Sequence, residues 1–393
     1  MTEEIRFTQA QKHIKNVDDV DFYSHTKAYR DLMYFAFRVN RAIKSKKLSD
    51  PVGEHNPLLD TLVTVLDELQ NETQNHRPAK EPSRFGFPQY RTWNTWMCEN
   101  SPQFIARILP TVSEELRVDI QPHFEDSFGN QTRIDYGTGH EAAFLCFLTA
   151  ISLLVPLTDE DYAFIGLRAF PRYLTLVRFF QRSYRMEPAG THGVWGLDDY
   201  QFFPFLWGSS QLIGSDITTE SVMNINLVNK FKADYLYHDA ISYIYTVKSG
   251  PFYEHSPVLY SVSGVGRWEK VNTGMFKMYR NEVLNKFPIV QHFFFGKVIQ
   301  FIPLEIPDAN DVDPLEREFI RLFLSTAVPA QQQPASTRTH VGLGIPSSSM
   351  TTYTFSPYAM SPATSPVPSG PAVMPRNSEG SPATQTNAPH TTE

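Results

Sequence analysis

R-I-D-Y-G-T-G-H-E, residues Arg133 to Glu141, runs straight into a long apolar stretch, Ala142 to Val155. That junction sets the fold class. An apolar run of this length, hydrophobic on every face, predicts a buried helix. The glycines Gly137 and Gly139 bracket Thr138, which lets the backbone turn tightly and present its N–H groups. Arg133, Asp135, His140 and Glu141 place charged or titratable groups around the turn. A glycine turn leading into a helix N-terminus is the general means of holding a phosphate or carboxylate. The competing reading is a plain turn between helices, with His140 and Glu141 satisfying the helix start.

Several motifs are excluded here. A P-loop needs a lysine after its second glycine, and none follows. A zincin helix needs a second histidine where Phe144 stands. A dinucleotide fingerprint needs a preceding strand and a third glycine, and Ala142 occupies that last glycine position.

Upstream, apolar residues recur at helical spacing from Ser24, the expected cap, through Tyr29, Met33, Ala36, Val39 and Ile43. Residues 1–20 read as a loose, polar N-terminus. Pro57 opens a second helix. Trp93, Trp96 and Met97 predict a short helix, Pro102 the start of another, and Ser113 the cap of a third. Downstream, Thr158 caps a helix running to about Arg168, and a further helix starts near Pro171.

The second informative block is Tyr184 to Leu212. Gly190, Gly193 and Gly196 form an irregular loop around His192 and Trp195, followed by Asp198 and Asp199. Adjacent carboxylates at a glycine loop can hold magnesium, a hard cation that takes oxygen ligands. They equally suit a helix start, acid against its dipole. Tyr200, Phe202, Phe203, Phe205 and Trp207 cluster around Pro204. Such clusters are core as a rule. The sharper alternative is a groove for a proline-containing peptide, lined by Tyr200, Phe203, Pro204 and Trp207. Further on, Trp268 to Lys286 reads as an amphipathic helix, and Gln291-His292 as a buried pair.

Net charge is -7, which argues against a dedicated nucleic-acid binder. Two cysteines, Cys98 and Cys146, indicate a reducing compartment with no disulfide framework and no zinc site. The start, M-T-E-E-I-R, shows no signal peptide, and no apolar run is long enough to span a membrane. A cytoplasmic and nuclear protein is expected. Pro314 starts a last helix within an extra segment, 308–328. Beyond it, residues 329–393 are low complexity, with eleven of the 29 prolines and no lysine. That tail is expected to be disordered. Its four Ser-Pro pairs, at Ser356, Ser361, Ser365 and Ser381, are either proline-directed kinase acceptors or incidental. No strand pattern appears elsewhere, so the ordered part is expected to be all-α.

Taken together, R-I-D-Y-G-T-G-H-E-A, Y-R-M-E-P-A-G from Tyr184, G-V-W-G-L-D-D from Gly193 and W-G-S-S-Q-L from Trp207 form a specific set. G-P-F-x-E-H-S from Gly250, W-x-K-V-N-x-G from Trp268 and K-F-P-x-x-Q-H-F from Lys286 extend it. The sequence resembles the phosphotyrosyl phosphatase activator family over roughly Phe22 to Pro303. The resemblance implies one all-α domain, here 22–307, with core, lid and linker parts. It implies peptidyl-prolyl cis-trans isomerase activity and a partner, the catalytic subunit of protein phosphatase 2A or a related phosphatase. It also implies ATP and magnesium. By motif match, ATP contacts fall at Arg133, Thr138, Gly139, Gln291, His292 and Phe293, and magnesium contacts at Gly193 and Asp199. The alternative role is a non-enzymatic activation chaperone that binds the phosphatase, shares ATP with it and aids metal loading. In either role a site built from such separated pieces would be shallow, and the partner would complete it.

Overall fold

The computed structural model describes residues 9–79, 86–190, 193, 196–307 and 312–324. In order the helices are α1 (Val17–Ser24), α2 (Lys27–Ala42), α3 (Leu58–Glu72), α4 (Gln89–Ile108), α5 (Glu114–Asp126) and α6 (Thr138–Leu154). Then come α7 (Asp159–Phe164), α8 (Phe170–Ser183), α9 (Phe203–Gln211), α10 (Ile225–Phe231) and α11 (Leu236–Val247). The last are α12 (Phe252–His255), α13 (Pro257–Ser263), α14 (Trp268–Tyr279), α15 (Phe287–Val290) and α16 (Pro314–Phe319). The fold is all-α, as expected.

The apolar stretch forms α6, buried at every position from His140 to Ile151. It packs against α5, α2 and α15. Two short strands, β1 (Asp135–Tyr136) and β2 (Glu187–Pro188), pair in parallel with Asp135 opposite Glu187. The Glu187 amide donates to the Ile134 carbonyl at 3.1 Å, and the Ala189 amide to the Tyr136 carbonyl at 2.8 Å. This clip fastens the second glycine-rich block onto the first.

Several boundaries differ from the sequence reading. The helix expected from Ser24 starts at Lys27, with the Thr26 hydroxyl accepting from the Tyr29 amide. Ser24 instead ends α1, so part of the segment expected to be loose is helical. Ahead of α1, Ala10 and Ile14 are buried, and Gln11 exchanges both backbone hydrogen bonds with Phe295. Pro102 does not begin a helix but lies inside α4. It cannot donate to the Cys98 carbonyl, and the Ser101 hydroxyl does so at 3.0 Å. Pro122 likewise sits inside α5. The chain does not break between Arg168 and Pro171, because a π-helical turn at Ile165–Ala169 joins α7 to α8.

The segment after residue 311 packs on α2 and α14. Phe319 lies 5.7 Å from Phe37 and Phe323 lies 5.0 Å from Phe276, ring to ring. The expected disordered tail, 329–393, and its Ser-Pro pairs lie outside the described residues, as do residues 1–8 and 308–311 of the flanking segments.

Candidate functional site

A cavity of about 560 Å³ opens at the start of α6. Arg133 and Asp135 line it from the turn, and Thr138, Gly139 and His140 from the first helical turn. Pro188, Ala189 and Gly190 come from β2 and the residues after it. Gly193, Gly196, Asp198 and Asp199 follow, then Lys286, Pro288, Ile289 and His292 around α15. Asp126, Asn130 and Lys12 complete the lining. Six residues that motif resemblance singled out therefore share one cavity: Arg133, Thr138, Gly139, Gly193, Asp199 and His292.

The turn is built by Asn130, whose side-chain oxygen accepts from the amides of Thr132 and Arg133 at 3.0 and 2.9 Å. Ile134 takes φ 53°, a conformation β-branched residues avoid. Arg133 Nε then donates to Asp135 Oδ2 at 2.6 Å. The two glycines differ from the tight turn expected of them. Gly137 is extended, with φ −169°. It is there because a Cβ would stand 2.9 Å from the Ala189 carbonyl. Gly139 is an ordinary helical residue, and a Cβ there would only touch Ile289 at 3.6 Å. Left-handed glycines occur instead at Gly190 and Gly193.

Charge is distributed unevenly around the cavity. Burial opposes the charged form of His140, yet Asp126 and Asp135 outweigh it and raise the imidazole above its usual range. His140 Nδ1 lies 2.6 Å from the Asp126 carbonyl and Nε2 3.9 Å from Asp135 Oδ1. Burial also works against ionised Asp135, but His140 and Arg133 hold its carboxyl below the usual range. Asp135 Oδ1 is buried without a hydrogen-bond partner. His292 is held low by desolvation and then by the nearby Lys12 charge. The α6 start has no side-chain cap; the His140 and Glu141 amides donate to the Gly137 carbonyl, which leaves those of Thr138 and Gly139 open to an acceptor from the cavity.

The donor set suits magnesium only in a shared form. Asp198 Oδ2 already accepts from the amides of Tyr200 and Gln201, each at 3.0 Å. Asp199 Oδ2 sits 2.9 Å from Lys248 Nζ. Among the described residues no cluster of three or more His, Cys, Asp or Glu side chains can hold a metal ion. Magnesium is commonly held by one or two carboxylates, waters and substrate phosphates. Asp199 on the wall of a cavity with Arg133 and an open helix start fits that arrangement.

Other predicted residues lie elsewhere. Gln291 does not line the cavity, and its Nε2 donates to the Pro288 carbonyl at 3.2 Å. Phe293 is buried edge-on against Tyr23. The proposed proline-peptide groove is corrected. Phe203, Pro204 and Trp207 are buried in α9, and Trp207 Nε1 donates to the Ala36 carbonyl at 3.1 Å. Tyr200 is half-buried, with its hydroxyl on the Met186 carbonyl. These rings are core.

Glu141 also leaves the site. Its carboxylate accepts from the amides of Phe202 and Phe203, at 2.6 and 3.2 Å, and so caps α9. Burial pushes its carboxyl up to about 8 despite those hydrogen bonds. Sequence reading missed Lys12, Asp126 and Asn130. Lys286 was visible as the head of the K-F-P motif.

Residues 10–301 match the family described as "Phosphotyrosyl phosphate activator (PTPA) protein". The chain is 41% identical over 298 residues to "Probable serine/threonine-protein phosphatase 2A activator 1" of Dictyostelium discoideum, covering 75% of this chain and 91% of that one. It is 38% identical over 294 residues to "Serine/threonine-protein phosphatase 2A activator" of Drosophila melanogaster, covering 75% and 74%. The crystal structure of the PP2A phosphatase activator Ypa1 superposes with a TM-score of 0.68 at 29% identity, covering 77% of this chain and 98% of that one.

Proposed function

Because the chain belongs to the phosphotyrosyl phosphatase activator family, we propose that it activates the catalytic subunit of a protein phosphatase 2A-type enzyme with ATP and magnesium bound at the α6 cavity. One observation carries this reading: Arg133, Thr138, Gly139, Gly193, Asp199 and His292, distant in sequence, line a single cavity. Arg133 offers a planar guanidinium suited to phosphate oxygens. The open first turn of α6 adds backbone donors and the positive end of the helix dipole. Asp199 supplies the carboxylate for a phosphate-bound magnesium. That ion, when present, neutralises phosphate charge; the protein's residues bind and orient.

Of the two roles, the activation chaperone is favoured. The aromatic groove assigned to a proline peptide is core, which removes the surface expected to stabilise a twisted amide. Peptidyl-prolyl cis-trans isomerase activity remains a second proposal. Its support is the apolar wall of the same cavity, Pro188, Ala189, Pro288 and Ile289, beside polar groups.

The test is ATP- and magnesium-dependent phosphatase activation beside a proline-peptide isomerase assay on the same proteins. Asp199→Ala is expected to abolish activation while the protein stays folded. Full activation by folded Asp199→Ala would overturn the assignment.

A further inference from the structure

Residues 9–16, ahead of α1, have no helical periodicity, yet they are fixed in place. Gln11 donates its amide to the Phe295 carbonyl at 2.8 Å and accepts from the Phe295 amide at 2.7 Å. Ala10 and Ile14 are buried on either side. The His13 ring stacks on Phe301 at 5.4 Å between centroids. These anchors hold Lys12 at the cavity wall, its Nζ 4.9 Å from the centre of the Phe294 ring.

The other cations near the cavity are engaged. Arg133 is paired with Asp135, Lys248 with Asp199, and Lys286 with Glu282 at 3.5 Å. Lys12 has no ion pair among the described residues. Its charge acts on the Asp126 carboxyl of the same cavity without closing to an ion pair, and an ammonium so placed, with three donors to rotate, suits a phosphate.

We propose that Lys12 is a phosphate-binding residue of the cavity, so that the N-terminal segment is part of the ligand site and not a leader to the fold. This rests on the nucleotide reading above. The ligand class is a polyphosphate, and the contact is to its charge, not to a base.

The experiment is equilibrium binding of magnesium-ATP and of adenosine to the full chain, alone and with the phosphatase catalytic subunit. The proteins are wild type, Lys12→Met, Lys12→Arg and Lys15→Met. Methionine keeps an apolar stem over Phe294, and a melting curve checks folding. Lys12→Met is expected to weaken ATP binding roughly tenfold, as for loss of one charge-assisted hydrogen bond. Lys12→Arg should retain most of the affinity, Lys15→Met should match wild type, and adenosine should be unaffected throughout. Wild-type ATP affinity in folded Lys12→Met, or an equal loss for adenosine, would overturn the role of Lys12 alone. Absence of ATP binding by wild type in both settings would overturn the nucleotide reading with it.

Discussion

Two helix starts in this protein have similar surroundings and opposite fates. The α6 start follows Arg133 and Asp135, and the α9 start follows Asp198 and Asp199. At α9 the first amides, of Phe202 and Phe203, are taken by the carboxylate of Glu141, and the start is sealed among aromatic rings. At α6 the N-cap is Gly137, no side chain caps it, and the first turn faces a cavity. A helix start serves an outside anion only where the protein has not supplied its own. Here one nonapeptide does both, offering Thr138 and Gly139 to the cavity and Glu141 to α9.

The comparison breaks most visibly at Glu141. Glu141→Ala leaves two buried amides without an acceptor, and a loss of about 3 kcal/mol in urea unfolding is expected. A loss under about 1 kcal/mol would mean that water or another group serves the α9 start as well. The same residue sets a pH dependence. Its folded carboxyl is raised from the ordinary 4.5 to about 8. Folding therefore favours the protonated form. The contribution is complete below the unfolded pKa and is lost as pH rises through about 8. Stability of wild type should fall across that window, and Glu141→Gln should flatten the fall.

At the other helix start the effects should appear in binding instead. Arg133 is about half exposed, with its side chain at 53%. Arg133→Ala should change stability by about 0.5 kcal/mol or less. It should weaken ATP binding about tenfold or more, since a charge-assisted contact is lost. Equal ATP affinity by calorimetry would remove the α6 start from the site.

The glycines sharpen the contrast within α6 itself. Gly137→Ala drives a methyl group toward the Ala189 carbonyl and should cost about 1–3 kcal/mol. Gly139→Ala meets only ordinary contact with Ile289. It should stabilise the helix by up to about 1 kcal/mol. Melting of the two variants side by side checks the order, and the reverse order would contradict the packing described for β1 and β2.

The buried helix was legible because α6 is apolar all round, and the motif residues were legible because glycine and charge patterns mark a turn. What lay beyond reach was long-range. Nothing local says that Gln11 pairs with Phe295, so a fixed strap read as a loose end. Nothing in the run from Tyr200 to Trp207 says which rings face solvent; their burial follows from α2 and α14 packing on α9. Gly137 looked like a turn residue, whereas its reason is the Ala189 backbone that crosses it just after β2. Pro102 looked like a helix start because the hydroxyl of Ser101, which covers the orphaned carbonyl, is visible only in three dimensions.

The most direct measurement is amide hydrogen exchange of the full chain with its phosphatase partner, with and without magnesium-ATP. New protection is expected at residues 133–140 and no change at residues 202–206, whose amides Glu141 and the core already hold. ATP binding that leaves residues 133–140 unprotected would contradict the assignment of the α6 start as the phosphate site.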